Sequence, residues 1–335
     1  MKTSDWGVII KGSGRYLPGN PVSNSELIRV SGLSTTEEWI SENLGIRQRH
    51  WAPEGIATSD IGAEASKLAL ADAKVDPKEL DHILLCTSTS DWTSPAAASN
   101  VQRLIGADCP AEDKQTACSS FLFGLDHGAR LIATGCDHVL VVGADVKSRF
   151  VRRDDLRLFP IFADGAGAVV LSKGKRGEGL QSSILWTDGS RLEHLLTPAG
   201  GSAMPATEET VRLGLHATRM NVDGRMIFDD AVEIMTNLAK KVCEESGLGP
   251  EDVDLLVPHQ ANLKIMKKVA SNLGIPESKV TITIDHTGNI VAGTVPYALD
   301  FARKQGSVKP GNIILMICAG AGYSAAGAVY REPKN

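Results

Sequence analysis

The sequence predicts a duplicated α/β fold in which two buried sheets are covered by helices on both faces. Three segments of the first half recur in the same order in the second half: residues 76–90, 138–145 and 164–172 correspond to 249–262, 312–320 and 324–332. The strands within them are almost continuously apolar, which is typical of a sheet covered on both sides. We therefore expect two related halves, 1–176 and 177–335, joined in the charged, glycine-rich stretch 174–185.

Each half is expected to run from a helix through a loop into a strand. Helical spacing of apolar residues covers 61–73 in the first half and 231–246 in the second. Each helix is followed by a proline-bearing loop and a short apolar strand. The last two strands of each half follow a glycine-bearing turn. Residues 198–224 are small and polar, and we expect them to form a loop excursion near the functional site.

Composition excludes several classes of function. The 335 residues are 42% hydrophobic and carry a net charge of −5, without a long block of Lys and Arg, so neither nucleic acid nor a membrane surface is an expected partner. The N-terminal segment lacks a secretory signal, and the apolar runs are too short for a bilayer span. Six cysteines without CxxC spacing indicate reduced thiols, with neither a zinc site nor a disulfide framework. We expect a cytoplasmic protein without a metal or cofactor.

Cys118 is the candidate nucleophile. The polar residues before it give way to an amphipathic helical pattern that contains Phe121, Leu125 and Ile132. A thiol at a helix N-terminus lies close to free backbone N–H groups and the positive end of the helix dipole. We therefore expect a lowered thiol pKa, toward about 7 or below. An isolated cysteine is more often a small buried hydrophobic residue, so the assignment depends on its partners.

His259 and Asn289 are the candidate partners. His259 directly follows the apolar strand predicted over 255–257, and Asn289 comes after a strand predicted over 280–284. Side chains at the ends of strands commonly form the site of an α/β sheet. A His and an Asn that donate to one carbonyl oxygen can stabilise an enolate as carbon dioxide leaves a malonyl thioester.

Three short motifs around these residues resemble those of the ketoacyl-ACP synthase III family. The motifs are TACSS at 116–120, PHQAN at 258–262, and HTGN at 286–289 followed by VPYAL. The similarity extends over nearly the whole chain, and includes 35–52, 162–171, 187–200 and 309–331. It implies a thiolase fold of five layers (αβαβα), a homodimer, and a Cys-His-Asn site at the bottom of a tunnel for the pantetheine arm of coenzyme A or acyl carrier protein.

The resemblance also assigns a role to each motif. Cys118 accepts the acyl group, and His259 and Asn289 bind and decarboxylate a malonyl-type extender. The backbone N–H groups of Cys118 and Ala321 form the oxyanion hole. The product is a β-ketoacyl thioester of fatty acid or polyketide biosynthesis, and no cofactor takes part.

Residues outside the motifs acquire roles in the same way. The resemblance implies substrate binding by Trp39, Ser94, Phe228 and Asn262, and carrier docking by Lys264, Lys267 and Lys268. Asn43 stands where the family often has Arg. Ser94 stands where housekeeping members have a bulky residue that crosses the dimer interface to the acyl pocket, which favours a primer larger than acetyl and a specialised member.

Three alternative functions remain at this point. Cys318 in CAGAG resembles the second cysteine of biosynthetic thiolases, which would make the condensation non-decarboxylative. Cys118 and His259 alone would serve acyl transfer to a hydroxyl or amine. A non-catalytic acyl-binding subunit is the third alternative, but it would have no need of the nucleophile.

Overall fold

A computed structural model of the protein describes residues 3–334. Its strands are β1 Val8–Tyr16, β2 Pro21–Ser23, β3 Gln48–His50, β4 His82–Cys86, β5 Ala111–Lys114, β6 His138–Val146, β7 Asp164–Lys173, β8 Gly179–Thr187, β9 Leu195–Leu196, β10 Arg219–Met220, β11 Leu255–Pro258, β12 Ile313–Gly320 and β13 Ser324–Arg331. Its helices are α1 Asn24–Ser31, α2 Glu37–Leu44, α3 Thr58–Ala73, α4 Ala98–Ile105, α5 Ser120–Thr134, α6 Glu208–Arg212, α7 Gly224–Glu245, α8 Leu263–Leu273, α9 Ile284–Thr287 and α10 Thr294–Lys304. No helix in this part of the chain is long and apolar enough to cross a membrane.

Two large sheets repeat one strand arrangement. The first sheet has the order β1-β7-β6-β4-β5, and the second has the order β8-β13-β12-β11. In both, the first two pairings are antiparallel and the third is parallel. In the second sheet a single parallel bridge from Val280 to Leu256 takes the place of the β5 pairing. The three sequence repeats therefore reflect a repeated topology.

The layers alternate as helix, sheet, helix, sheet, helix. Helices α3 and α4 cover the outer face of the first sheet, and α7 and α8 lie outside the second sheet. Helices α5 and α10 lie between the sheets and contact both. The central apolar cluster accordingly draws buried side chains from both sheets, including Leu84, Val141 and Met316. This is the five-layered αβαβα arrangement that the sequence predicts.

Capping side chains explain where the two repeated helices begin. The Asp60 carboxylate accepts the Ala57 N–H at 2.8 Å at the start of α3. The Asp223 carboxylate accepts the Arg225 N–H at 2.8 Å, so α7 begins seven residues before the apolar pattern does. The excursion at 198–224 is not purely a loop, because it contains α6 and pairs β10 with β9.

The strand predicted over 280–284 is wrong. Only Val280 forms a bridge, and α9 begins at Ile284. The carbonyl oxygen of the Gln260 side chain accepts the N–H groups of Thr283 and Ile284 at 2.9 and 3.2 Å. A buried side chain thus supplies the acceptor that a neighbouring strand would otherwise provide.

Glycines allow α10 and the segment before it to contact the first sheet closely. A Cβ atom at Gly143 would lie 2.3 Å from the Ala292 oxygen, and one at Gly167 would lie 2.4 Å from the Tyr297 nitrogen. No side chain fits at these distances. The two glycines therefore determine how closely the segment that carries Asn289 approaches the first sheet.

Candidate active site

Cys118 lies in a tight turn, Ala117–Ser119, between β5 and α5. Ala117 has a φ of 48°, in the left-handed region that non-glycine residues rarely adopt. Hydroxyl groups hold this turn. Ser120 donates to the Ala117 oxygen at 2.7 Å, and Ser119 donates to the Thr116 oxygen at 2.8 Å. The turn therefore presents the thiol just before the first turn of a buried helix.

The pKa expected for Cys118 is wrong in direction. Burial, with a smaller contribution from the Asp145 carboxylate, raises the thiol pKa to about 12, and Lys147 opposes this shift. Withdrawal from water disfavours a thiolate. The resting nucleophile is therefore a neutral thiol that needs a base.

His259 follows β11 and is buried. Its backbone N–H donates to the Ile317 oxygen at 2.8 Å, which extends the parallel pairing of β11 and β12 by one residue. Its Nδ1 lies 2.6 Å from the Thr294 hydroxyl. Burial lowers the His259 pKa to about 3, so the imidazole is neutral at physiological pH.

Thr294 couples its hydrogen bonds to the imidazole tautomer. Its hydroxyl lies 2.9 Å from the Val291 carbonyl oxygen, which can only accept. When the hydroxyl gives its one hydrogen to Val291, its oxygen can accept a second bond from His259 Nδ1–H. The other ring nitrogen, Nε2, then carries a lone pair. A neutral His259 in this state is a proton acceptor.

Asn289 is held by backbone and side chain together. Its N–H donates to the Ile161 oxygen at 2.9 Å, and its carbonyl accepts the Ala163 N–H at 3.0 Å. The side-chain oxygen accepts the Val291 N–H at 2.9 Å. This bond fixes the orientation of the amide and leaves the NH₂ group available as a donor.

Two cavities meet at Cys118. The first has a volume of about 280 Å³ and is lined by residues that include six of the predicted site residues: Cys118, Phe228, His259, Asn262, Asn289 and Ala321. The second has a volume of about 450 Å³ and is also lined by Cys118, with Phe162, Leu195 and Ala321 shared between the two as well. The thiol is thus accessible from two compartments.

Two backbone N–H groups near the thiol are available as donors. Those of Cys118 and Ala321 donate to no carbonyl oxygen within residues 3–334. A Cβ at Gly320 would lie 2.9 Å from the Cys118 nitrogen, so the absence of a side chain lets the end of β12 approach the nucleophile. Ser324 joins the two turns, because its hydroxyl lies 2.8 Å from the Thr116 oxygen and 3.0 Å from the Ala321 oxygen, either of which can accept its single hydrogen.

The remaining predicted residues lie outside these cavities. Trp39 is on α2 with 44% of its surface exposed, and Ser94 is in an exposed loop that lines neither cavity of its own chain. Lys264, Lys267 and Lys268 are exposed on α8, which begins after the cavity residue Asn262. Their roles in substrate binding and docking remain predictions.

Comparison with known proteins gives the family. Residues 113–189 and 243–332 match the profiles of 3-oxoacyl-[acyl-carrier-protein] synthase III and of its C-terminal region. A protein from Syntrophomonas wolfei named β-ketoacyl-[acyl-carrier-protein] synthase III is 40% identical over 326 residues, which cover 97% of both chains. This chain belongs to the β-ketoacyl-[acyl-carrier-protein] synthase III family.

Solved structures agree with the family assignment. The 3-oxoacyl-[acyl-carrier-protein] synthase III of Aquifex aeolicus has a TM-score of 0.87 and 34% identity, with 97% of this chain and 100% of that chain covered. The priming β-ketosynthase from the R1128 polyketide pathway has a TM-score of 0.88 and 31% identity, with 97% and 96% covered. The predicted synthase III family, thiolase fold and acyltransferase class are confirmed.

Within this synthase III chain, Cys318 lies directly before Ala319, which is on the wall of the first cavity. Cys318 itself is fully buried on β12, lines neither cavity, and its thiol faces the Ala319 oxygen at 3.6 Å. Burial raises the pKa of this thiol well above its ordinary value. Its position is that of a small buried hydrophobic residue.

Sequence reasoning missed several residues of the site. Thr294 and Ser324 are ordinary hydroxyl residues in sequence, and only the fold brings them to His259 and to the Cys118 turn. Lys147 follows a predicted strand without any motif, yet it is buried beside the second cavity. Arg157 lines the first cavity.

Proposed function

We propose that this protein catalyses a decarboxylative Claisen condensation between an acyl group held on Cys118 and a malonyl-type thioester. The observation that carries the proposal is the meeting of two cavities at one partly buried thiol, with His259 and Asn289 on the wall of the first. One compartment suits the acyl group and the other suits the extender. The product is a β-ketoacyl thioester for fatty acid or polyketide-type biosynthesis.

Acylation begins with proton transfer from the Cys118 thiol to His259 Nε2. The thiolate attacks the thioester carbonyl, and the oxyanion accepts bonds from the Cys118 and Ala321 N–H groups. The carbon–sulfur bond to the pantetheine breaks, and the departing thiolate takes the proton from the imidazolium. Because the His259 pKa is about 3, the imidazolium returns this proton readily.

Condensation uses His259 as a donor. The malonyl thioester carbonyl accepts one bond from the Asn289 amide and one from His259 Nε2–H, a tautomer that Thr294 supports by donating to Nδ1. Loss of carbon dioxide leaves an enolate on these two donors. The enolate carbon attacks the acyl carbonyl, and Cys118 leaves as a thiolate that takes up a proton. No electrons go to an external acceptor, so no cofactor is part of the proposal.

Coenzyme A or acyl carrier protein would deliver the thioesters through the first cavity. Asn262 lines it, and Trp39 lies nearby on α2 at the protein surface. Lys264 donates to the Asn43 side chain at 2.8 Å, and Lys267 pairs with Glu277 at 2.8 Å. The three lysines of α8 present positive charge that suits an acidic carrier.

We further propose a homodimer in which Ser94 faces the partner's acyl cavity. β5 is the edge strand of the first sheet and has one pairing partner within its chain. The loop with Ser94 also exposes Trp92, at 53% of its surface. An open strand edge next to an exposed aromatic side chain fits a contact with a second copy.

The six free thiols fit the cytoplasm.

The two rival reactions make different demands on the site. Thiolase-like condensation requires a second cysteine in contact with the extender, and Cys318 is on the wall of neither cavity. Acyl transfer to a hydroxyl or amine requires no donor pair for an enolate. It would leave the amide of Asn289, held by the Val291 N–H, without a function.

Release of labelled carbon dioxide from a malonyl thioester tests the proposal. Asn289→Ala should slow release by roughly 10²–10³-fold, the usual loss for an oxyanion donor, while Cys118 is still acylated. Cys318→Ala should keep most of the activity. Cys118→Ser serves as the control for the nucleophile and should hold no acyl group in intact mass spectra.

The opposite results are equally informative. Product formed by the wild type without release of label would contradict decarboxylation. Severe loss in Cys318→Ala would favour the thiolase-like reaction. Stable acylation with neither condensation nor carbon dioxide release, but with transfer to an alcohol or amine, would favour simple acyl transfer.

A further inference from the structure

Lys147 is a buried lysine without an ion pair or hydrogen bond among residues 3–334. Only 8% of its surface is exposed. It lies over the ring of Phe162, 5.6 Å from the centroid. Buried charges in proteins are nearly always paired, because withdrawal of a charge from water is unfavourable. Burial accordingly lowers the Lys147 pKa.

The ammonium belongs to the second cavity, the one away from His259. Lys147 and Cys118 both line this cavity. The lining of this cavity includes hydroxyl and amide side chains, among them Ser88, Gln115 and Thr187. No Asp or Glu from residues 3–334 is on its wall. The compartment therefore offers a positive charge and neutral polar groups, and lacks an anion of its own.

The nearby carboxylate of Asp145 does not serve as the missing anionic partner of Lys147. One of its oxygens accepts from Thr87, Thr89 and both the N–H and hydroxyl of Ser88, and the other accepts the Ala292 N–H at 3.0 Å. Asp145 raises the Lys147 pKa from a distance without contacting the ammonium. Asp145 thus favours the charged form of Lys147, and the ammonium remains available for direct contact with a ligand.

We propose that the acyl group accepted by Cys118 carries a distal carboxylate, so that its donor is a monothioester of a short dicarboxylic acid. The carboxylate pairs with the Lys147 ammonium inside the second cavity, while the thioester carbonyl is at Cys118. This inference rests on the proposed function, because it requires acylation of Cys118. The step forms the acyl–Sγ bond, breaks the donor's carbon–sulfur bond, and returns one proton to the leaving thiol.

Lys147 has a second conceivable role, which the experiment separates from the first. Its charge lowers the Cys118 pKa, so it would assist ionisation of the thiol whatever acyl group arrives. Loss of that assistance would slow acylation by all donors to the same extent. Loss of a carboxylate partner would slow acylation by carboxylate-bearing donors alone.

Intact mass spectrometry of Cys118 acylation, without any extender, decides between these roles. The donors are succinyl-CoA, its methyl ester and butyryl-CoA, which share a four-carbon acyl chain. The wild type should acylate fastest with succinyl-CoA. In Lys147→Met the ratio of succinyl to butyryl rates should fall roughly 10- to 100-fold, the range for a hydrogen bond to a charged group. Lys175→Met, at an exposed lysine far from the cavities, should keep the wild-type ratio.

Lys147→Met should also raise the melting temperature, because replacing an unpaired buried charge by an apolar side chain of similar length is favourable. If the variant does not fold, the ester comparison in the wild type is sufficient on its own. Equal wild-type rates for succinyl-CoA and its methyl ester, or an equal slowing of all donors in Lys147→Met, would overturn the inference. Failure of every donor to acylate the wild type would instead overturn the proposed function.

Discussion

Thr294 shows how one hydroxyl can serve two chemical steps at the same histidine. Its oxygen is 2.6 Å from His259 Nδ1 and 2.9 Å from the Val291 oxygen. When the hydroxyl donates to Val291, the imidazole accepts a proton at Nε2. When it donates to Nδ1, the imidazole donates from Nε2. In the proposed mechanism, acylation needs the first state and decarboxylation needs the second.

Replacing Thr294 tests this role. Thr294→Val removes the partner of Nδ1 and should lower kcat for condensation by about 10- to 100-fold, in the range for hydrogen bonds to charged groups, with a smaller change in KM. Thr294→Ser keeps the hydroxyl and should stay within a few-fold of the wild type. The ¹⁵N chemical shifts of the His259 ring should report a changed tautomer in the valine variant alone. Identical ring shifts in both variants would refute the tautomer role.

At this scale the sequence indicated the candidate side chains that the fold brings to one cavity, and it missed the residues that hold them in place. Cys118, His259 and Asn289 are recognisable because each lies in a motif at the end of an apolar segment. Thr294 and Ser324 carry no such signal, since their roles arise from contacts with residues 35 and 208 positions away. The Cys118 pKa was mispredicted for the same reason, because burial depends on the whole fold.

Among the elements, α8 carries the predicted docking surface. Lys264 and Lys268 are exposed and one helical turn apart in the N-terminal half of α8. This helix begins beside the first cavity. An acidic carrier that docks there would be steered by their charge. Coenzyme A presents a much smaller surface to the same helix. The two donors should therefore differ in their dependence on these lysines.

Charge reversal on α8 tests the docking surface. Lys264→Glu combined with Lys268→Glu should lower kcat/KM for malonyl carrier protein by roughly tenfold, because like charges then face each other. The value for malonyl-CoA should change less, and raised salt should weaken the carrier reaction of the wild type. Lys240→Glu, on the exposed side of α7, is the matched control. Equal losses with both donors would refute a carrier surface on α8.

Elements with strong periodicity were predictable from the sequence, and short ones were not. Helices α3 and α7 and the repeated strands were found because their apolar patterns span many residues. The strand over 280–284 failed because the Gln260 side chain replaces a strand partner. Helix α6 and the β9–β10 pair escaped notice because such short elements depend on tertiary contacts.

On the scale of the whole molecule, duplication places the site. Each sheet ends in polar turns, and the pairing of the two halves around α5 and α10 brings those turns together. Cys118 comes from the first half, whereas His259, Asn289 and Ala321 come from the second. The repeats in the sequence indicated this symmetry. The two separate cavities were beyond sequence reasoning because they are lined by residues from many segments.

Burial of neutral His259 couples the site to the stability of the whole fold. Its folded pKa is about 3, whereas an unfolded histidine has a pKa of about 6.5. Between these values the unfolded chain binds a proton that the folded chain excludes. Stability is therefore unaffected by this group above about pH 6.5 and is lost as the pH falls from there toward 3.

Chemical denaturation at pH 7.5 and pH 5.0 measures this contribution. The wild type should lose about 2 kcal/mol more of its free energy of unfolding than His259→Gln does, since 1.5 pH units below 6.5 correspond to about 1.4 kcal/mol each. Other titrating groups are common to both proteins and cancel in the difference. Protein concentration must be held constant, because dimer dissociation would shift both curves. Equal losses in the two proteins would mean that His259 titrates alike in the folded and unfolded chains, and a pKa lowered by burial would then be excluded.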